Sequence, residues 1–302
     1  MSLPTIGLAG ATGNLGLPIL SALLTAGYPV TVLSRIGGNS SKLTPHTNLT
    51  VKSVDFTSVP SLCEALEGVE VVVSCVATSA MGSQNPLIDA CIAAGVRRFI
   101  PAEFGMDSQN PHAMQLPPCA MKVATQTYLR EQSRLHTEFT WTTIANGLFL
   151  DWGIEVGFII DVKKHTATLY NGGDVLFSAT TLADIAKAVV GVVSNQRATA
   201  DRVVYAHSAC VTQNQLIQYV KDKDGKGWDV EVKSTDTVKQ ESFLELKKGD
   251  EGDADAAMLG FAVVGMFDEE CGCNFERKLD NGMLGVNVLS ADEVRRVVEK
   301  CM

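Results

Sequence analysis

The chain has 302 residues, of which 46% are hydrophobic, 20% charged and 6% aromatic. That is enough apolar material for one large domain, or one domain with a smaller lobe, and it excludes disorder. Lys and Arg number 25 against 34 Asp and Glu, a net charge of −9. So acidic a chain is excluded as a generic nucleic-acid binder, because phosphate contacts need clustered cations. The apolar runs are short, and Val69–Ala77 is already broken by Glu70 and Ser74. None approaches the roughly 18 residues of a membrane-spanning helix.

The elements follow in chain order. Thr5–Ala9 reads as a short apolar strand. Asn14–Ala26 carries Leu15, Ile19, Leu20, Leu23 and Leu24 at helical spacing and ends at Gly27. Val30–Leu33 and Leu49–Asp55 read as strands, separated by a Gly/Ser/Asn loop at 37–41. Val59–Leu66 reads as a helix and Val69–Ala77 as a buried strand. Asn85–Ala94 is a helix closed by Gly95, Arg98–Pro101 a strand, Met121–Arg134 a helix and Thr140–Ala145 a strand. Strands alternating with crossover helices predict an α/β, Rossmann-type doubly wound parallel sheet over residues 1–150.

The texture changes after about residue 150. Thr166–Tyr170 and Val175–Ser178, joined through Gly172-Gly173, read as a hairpin. Leu182–Val193 reads as an apolar helix, Arg202–Ala206 as a strand returning to the sheet, and Gln213–Lys221 as a helix. Lys221–Asp255 is polar and charged and reads as a solvated loop. Ala256–Phe267 and Ala291–Cys301 read as helices closing the lobe. Residues 151–302 are thus expected to form a smaller C-terminal α/β substrate lobe, with about 175–207 returning to the first sheet.

The eight Cys are scattered, some inside apolar stretches, and the five His lie far apart. No zinc-type spacing appears, so no metal site is expected. Free thiols in a chain of this size, with no signal-peptide pattern at the start, read as a cytoplasmic protein.

Gly10-Ala-Thr-Gly13-Asn-Leu-Gly16 lies between the first strand and the first helix. In that context the three glycines read as a dinucleotide loop. Gly10 permits the turn, Gly13 lets backbone approach a pyrophosphate, and Gly16 allows close helix–strand packing. Thr12, Asn14 and Leu15 complete the cradle at the helix N-terminus. The second strand ends Ser34-Arg35 with no acid. An acid there would hold the ribose hydroxyl of NAD, whereas an Arg suits the 2′-phosphate of NADP. NADPH/NADP is therefore the expected cofactor, with Lys42 as a second cation. Asp55 and Phe56 are expected near the adenine. Ser74–Thr78, through Ala77 and Thr78, is expected along the nicotinamide side.

Two Lys are weighed for proton transfer. Tyr219–Lys223 matches the Tyr-x-x-x-Lys spacing, but in a late helix, and reads as coincidence. Lys122 sits on the expected helix, with Pro118 where the partner Tyr would stand. A partly desolvated Lys can exchange a proton near neutrality, while most Lys are merely solvated.

Three features together resemble the NmrA-like, isoflavone-reductase-like group of atypical short-chain dehydrogenases. They are the glycine loop, the string Arg97-Arg98-Phe99-Ile100-Pro101-Ala102-Glu103-Phe104-Gly105, and the Lys122 helix. Thr181–Ala186 resembles the family's return helix, and the likeness weakens beyond about residue 190. It implies a reductase in which Lys122 acts as general acid/base and the cofactor delivers hydride. It also implies that Glu103, Phe104, Lys122 and Asn146 lie at the cofactor. Phe104, Gly147 and Phe149 would then lie at the substrate. The Asn146-Gly147 pair departs from the reductases' usual sequence, so their particular substrates do not carry over. The expected partner is a small aromatic or conjugated molecule, with neither nucleic acid nor membrane, and the protein a monomer or homodimer. The group also holds NADP-binding regulators, so a non-catalytic sensor stays open, as does a non-redox enzyme of secondary metabolism on the same fold.

Overall fold

The computed structural model describes residues 3–302, apart from the side chain of Thr78. The first half alternates as the pattern requires. It runs β1 (Ile6–Ala9), α1 (Gly16–Thr25), β2 (Val30–Arg35), β3 (Leu49–Val54), α2 (Val59–Ala65), β4 (Val71–Ser74), α3 (Asn85–Ala93), β5 (Arg98–Ile100), α4 (Pro117–Leu135) and β6 (Thr140–Ala145). The second half comprises β7 (Leu148–Phe149), α5 (Leu150–Glu155), β8 (Thr166–Tyr170), β9 (Phe177–Thr180), α6 (Leu182–Ser194), β10 (Arg202–Tyr205), β11 (Ala209–Val211), α7 (Gln213–Asp224), β12 (Asp229–Lys233), α8 (Thr235–Lys247), α9 (Ala254–Phe267), α10 (Asn281–Leu284) and α11 (Ala291–Lys300).

Seven parallel strands form the main sheet, in the order β10-β6-β5-β4-β1-β2-β3. The chain works outward from β1 to β3, then crosses to place β4 on the other side of β1. That reversal opens a crevice at the carboxyl ends of β1 and β4, where such sheets bind ligands.

Period-two alternation explains how both faces are covered. Val71 and Val73 of β4 share one core cluster with Ile19, Leu20 and Leu23 of α1 and Ile185, Val189 and Val192 of α6. Val72 faces the other way, into a cluster with Leu62 of α2, Leu87 and Ile88 of α3, and Leu129 of α4. Arg98 of β5 is buried and forms no ion pair among the described residues. Its guanidinium instead donates to the hydroxyls of Thr140 (2.8 Å), Thr142 (2.8 Å) and Thr199 (2.9 Å), and burial lowers it to about 10. This ties the loop after α6 to the sheet.

Several helices start on side-chain caps. Thr181 accepts from the Asp184 amide at 3.2 Å, and Ser290 with Glu293 forms a reciprocal capping box. The lobe has its own core, built on Phe177, Leu216, Phe261, Phe267, Phe275 and Val298. It also draws in Met106, Leu116 and Cys119 around the start of α4.

Two expectations are corrected. The segments at 166–170 and 177–180 are not a hairpin. Gly172 and Gly173 both have positive φ, at 86° and 82°, and the turn they make carries the chain away instead of back. β8 pairs in parallel with β12, and β9 pairs with β11 and β7. Nor is 221–255 a solvated loop: it holds the end of α7, β12 and α8. Its composition is polar because β12 is an exposed edge and because α8 buries only Thr235, Val238 and Ser242.

Candidate functional site

The glycine loop is shaped by packing on two sides and open on the third. A Cβ on Gly10 would overlap the Cys75 carbonyl oxygen, and φ there is +79°. A Cβ on Gly16 would overlap the Gly10 carbonyl and lie 2.8 Å from the Ala11 Cα. Both positions are therefore closed to a side chain. Gly13 would meet only the Gly10 carbonyl, at 3.4 Å, so its outer face is free for a ligand. Helix α1 begins at Gly16, and Leu15 in the capping position offers no side-chain cap. The Leu17 amide turns back to the Gly13 carbonyl at 3.1 Å and Pro18 has no N–H, so what the helix start offers an anion is chiefly the positive end of its dipole.

The crevice is a cleft of about 860 Å³. One end is walled by Gly10, Thr12, Gly13, Asn14 and Leu15, then by Ser34 and Arg35, Gly38 and Asn39, and Phe56 and Thr57. Arg35 is exposed at the end of β2 and takes part in no ion pair among the described residues. It is the one cationic side chain on the wall. Gly16 lies behind the loop, and Lys42 is exposed in a short 3₁₀ turn off the wall. Asp55 is also off the wall. Its carboxylate accepts from the Thr57 amide at 2.9 Å and the Thr57 hydroxyl at 2.7 Å, which holds its pKa below the usual range. It thereby shapes the turn that presents Phe56.

The other end is walled by Cys75, Val76 and Ala77 after β4, then by Ser79–Met81, Gln84, Ala102, Glu103, Phe104 and Phe149. The side chain of Thr78 lies outside the described residues. Gln84, which no motif announces, accepts from the Ala102 amide at 3.0 Å and donates to the Met81 carbonyl at 3.0 Å. It thus fixes the two loops facing each other across this end.

Lys122, Asn146 and Gly147 are brought close to this end but are not on its wall. Lys122 is 5% exposed, and its Nζ donates to the main-chain carbonyl of Glu103. The Asn146 and Gly147 amides both donate to the Gly105 carbonyl, at 3.1 and 2.9 Å. Gly147 has φ +64°, and a Cβ there would overlap the Ser178 carbonyl. The glycine therefore seats β7 against β9 and brings Phe149 to the wall. The Asn146 amide nitrogen donates to the Gly147 carbonyl at 3.1 Å, while its buried Oδ1 has no partner. Tyr219 and Lys223 are elsewhere: Tyr219 lies under Arg295 and Lys223 pairs with Glu299 at 3.1 Å.

Beneath Phe104, a strap holds the loop in place. Asp107 is fully buried and accepts from the Tyr205 hydroxyl at 3.0 Å and the Lys278 ammonium at 2.7 Å. Burial and that carboxylate push the Tyr205 phenol up. No group of three or more His, Cys, Asp or Glu among the described residues could hold a metal ion. Among the described residues no helix is long and apolar enough to cross a membrane.

A model of the NmrA-like family matches residues 4–247. The chain belongs to that family. It is 32% identical over 299 residues to oxidoreductase poxI of Penicillium oxalicum, covering 95% of this chain and 91% of that protein. Oxidoreductase aprR of Aspergillus flavus is also 32% identical, over 242 residues and 80% of each chain. This NmrA-like chain is likewise an oxidoreductase. Among solved structures, the binary complex of leucoanthocyanidin reductase and NADPH from Vitis vinifera superposes with a TM-score of 0.77. It covers 98% of this chain and 99% of that one at 17% identity. That likeness speaks for the fold.

Proposed function

We propose that this NmrA-like protein is an NADPH-dependent reductase of a small aromatic or conjugated molecule, with Lys122 handling the proton. The observation that carries the cofactor choice is Arg35, an unpaired guanidinium at the end of β2 with no acid beside it. It suits a 2′-phosphate, which takes paired N–H donors from an Arg. The glycine loop and the uncapped start of α1 would hold the pyrophosphate. When bound, NADPH supplies the hydride.

The chain's own residues then orient and exclude. Phe104 and Phe149 line the far end of the cleft and offer apolar faces to a planar ring. Gln84 and the Asp107 strap keep the loops on either side from spreading. Lys122, buried off the wall and bonded to the carbonyl of the wall residue Glu103, would give or take a proton at an oxygen seated against Phe104. Eight free cysteines support a reducing, cytoplasmic setting.

One observation favours a second reading, a non-catalytic NADP sensor: the Lys122 ammonium is buried off the cleft wall, with one of its three donors on the Glu103 carbonyl. The discriminating test is NADPH oxidation with a panel of quinones, enones and phenolics, using Lys122→Ala as control. Turnover lost in the variant supports the reductase. Tight NADPH binding with no turnover by either protein supports the sensor.

A further inference from the structure

Helix α4 reaches Glu103 from two positions one turn apart. Lys122 Nζ donates to the Glu103 main-chain oxygen, and Gln126 Nε2 donates to Glu103 Oε1 at 2.9 Å. Residues four apart share a helix face, so the two grips are parallel. The other carboxyl oxygen accepts from the Ser108 hydroxyl at 3.0 Å.

The amide of Gln126 cannot turn over without loss. Its oxygen is occupied by Gln109 Nε2 at 2.8 Å and by Arg130 Nη2 at 3.0 Å, which leaves only its nitrogen for Glu103. Glu103, Gln126 and Lys122 are all at least nine-tenths buried. Burial pushes the Glu103 carboxyl up, while the Lys122 charge, the bonds from Gln126 and Ser108, and the more distant Arg130 pull it down. The other titratable groups around this pair are Cys119 on the first turn of α4 and Asp107 beyond Phe104. Glu103 thus connects two jobs: it lines the cleft, and its main chain holds the ammonium.

We infer that Glu103, oriented by Gln126, is a positioning residue that sets where Lys122 sits and supplies its buried counter-charge. The inference rests on the reading of Lys122 as the proton-handling group. Glu103→Gln removes the charge and keeps the shape; Gln126→Leu removes the grip and keeps the charge.

Two readouts test the inference, with wild-type circular dichroism and a cooperative urea transition confirming that both variants fold. First, the kcat–pH profile is recorded with a quinone acceptor. The alkaline limb of Glu103→Gln moves to lower pH by about one unit, as loss of a nearby opposite charge dictates. In Gln126→Leu, kcat falls about tenfold with KM little changed. Second, ¹H–¹⁵N spectra of the Lys side chains, with Lys122 assigned through Lys122→Ala, need no turnover. The buried, bonded ammonium gives a slowly exchanging signal in wild type that is lost in Gln126→Leu.

An unmoved limb together with a persisting signal would overturn the inference while leaving the role of Lys122 intact. Full turnover in Lys122→Ala would overturn the role of Lys122 and this inference with it.

Discussion

Replacing Arg35 with Ala probes the cofactor assignment at one contact. The side chain is exposed and takes part in no ion pair among the described residues, so the substitution breaks no described ion pair and should leave the fold intact. Hydrogen bonds to charged groups contribute about 1.5–3 kcal/mol, and solvent screening at an exposed site favours the lower half of that range. A loss of about 1.5–2 kcal/mol is a rise of about 10- to 30-fold in the Kd for NADPH. NADH has no phosphate at that position, so its Kd should stay within about twofold. Calorimetric or fluorescence titration of both nucleotides measures the ratio. Repeating the titration near 1 M salt should shrink the NADPH effect, because the screening length falls to about 3 Å. Equal losses for both nucleotides, or no loss for either, would refute the assignment.

Other outcomes follow from the same geometry. Gly16→Ala forces a methyl into the Gly10 carbonyl; it should lower stability by about 1–3 kcal/mol and weaken nucleotide binding at least tenfold, read by denaturant melts and titration. Thr181→Ala removes the α6 cap and should cost about 1 kcal/mol with nucleotide affinity unchanged, read by the same two assays. His207 is buried against Ser178, its Nδ1 2.8 Å from the hydroxyl, and burial holds it below its ordinary 6.5. The unfolded chain therefore takes up the proton first as pH falls. Stability from the neutral imidazole is fully present above about 6.5 and is lost below it. Urea midpoints between pH 7 and 5 should fall more steeply for wild type than for His207→Gln, and parallel slopes would show that His207 is not the cause.

The cofactor half was legible because its signals are local. Apolar runs such as Val71–Ser74 need neighbours on both faces, and the glycines of residues 10–16 carry backbone requirements that other residues do not meet. The lobe was less legible because its structure depends on partners distant in sequence. Thr166–Tyr170 was visible as a strand, but its partner Asp229–Lys233 lies more than fifty residues on and has an edge strand's polar composition. Gly172-Gly173 reads as a hairpin turn on any local rule, and only the pairing of β8 with β12 shows otherwise.

At the site, Lys122 could be placed on the right helix, but not the direction of its ammonium. That direction is set by the Glu103 carbonyl, across a separation of 19 residues. Gln84 and Gln126 escaped notice because glutamine carries no motif; their roles appear only once both ends of each amide are accounted for. At Gly147 the backbone demand is set by a distant strand: the space a Cβ would need is filled by Ser178 of β9.

The most direct test of the account is hydride transfer itself. NADPH deuterated at the reactive carbon is incubated with the protein and a quinone or enone acceptor, and the product is analysed by mass spectrometry and NMR. The account predicts stoichiometric NADPH oxidation and a product carrying the deuterium at carbon in the enone case, with both lost in Lys122→Ala. NADPH bound at micromolar affinity but returned unoxidised across the acceptor panel would contradict it.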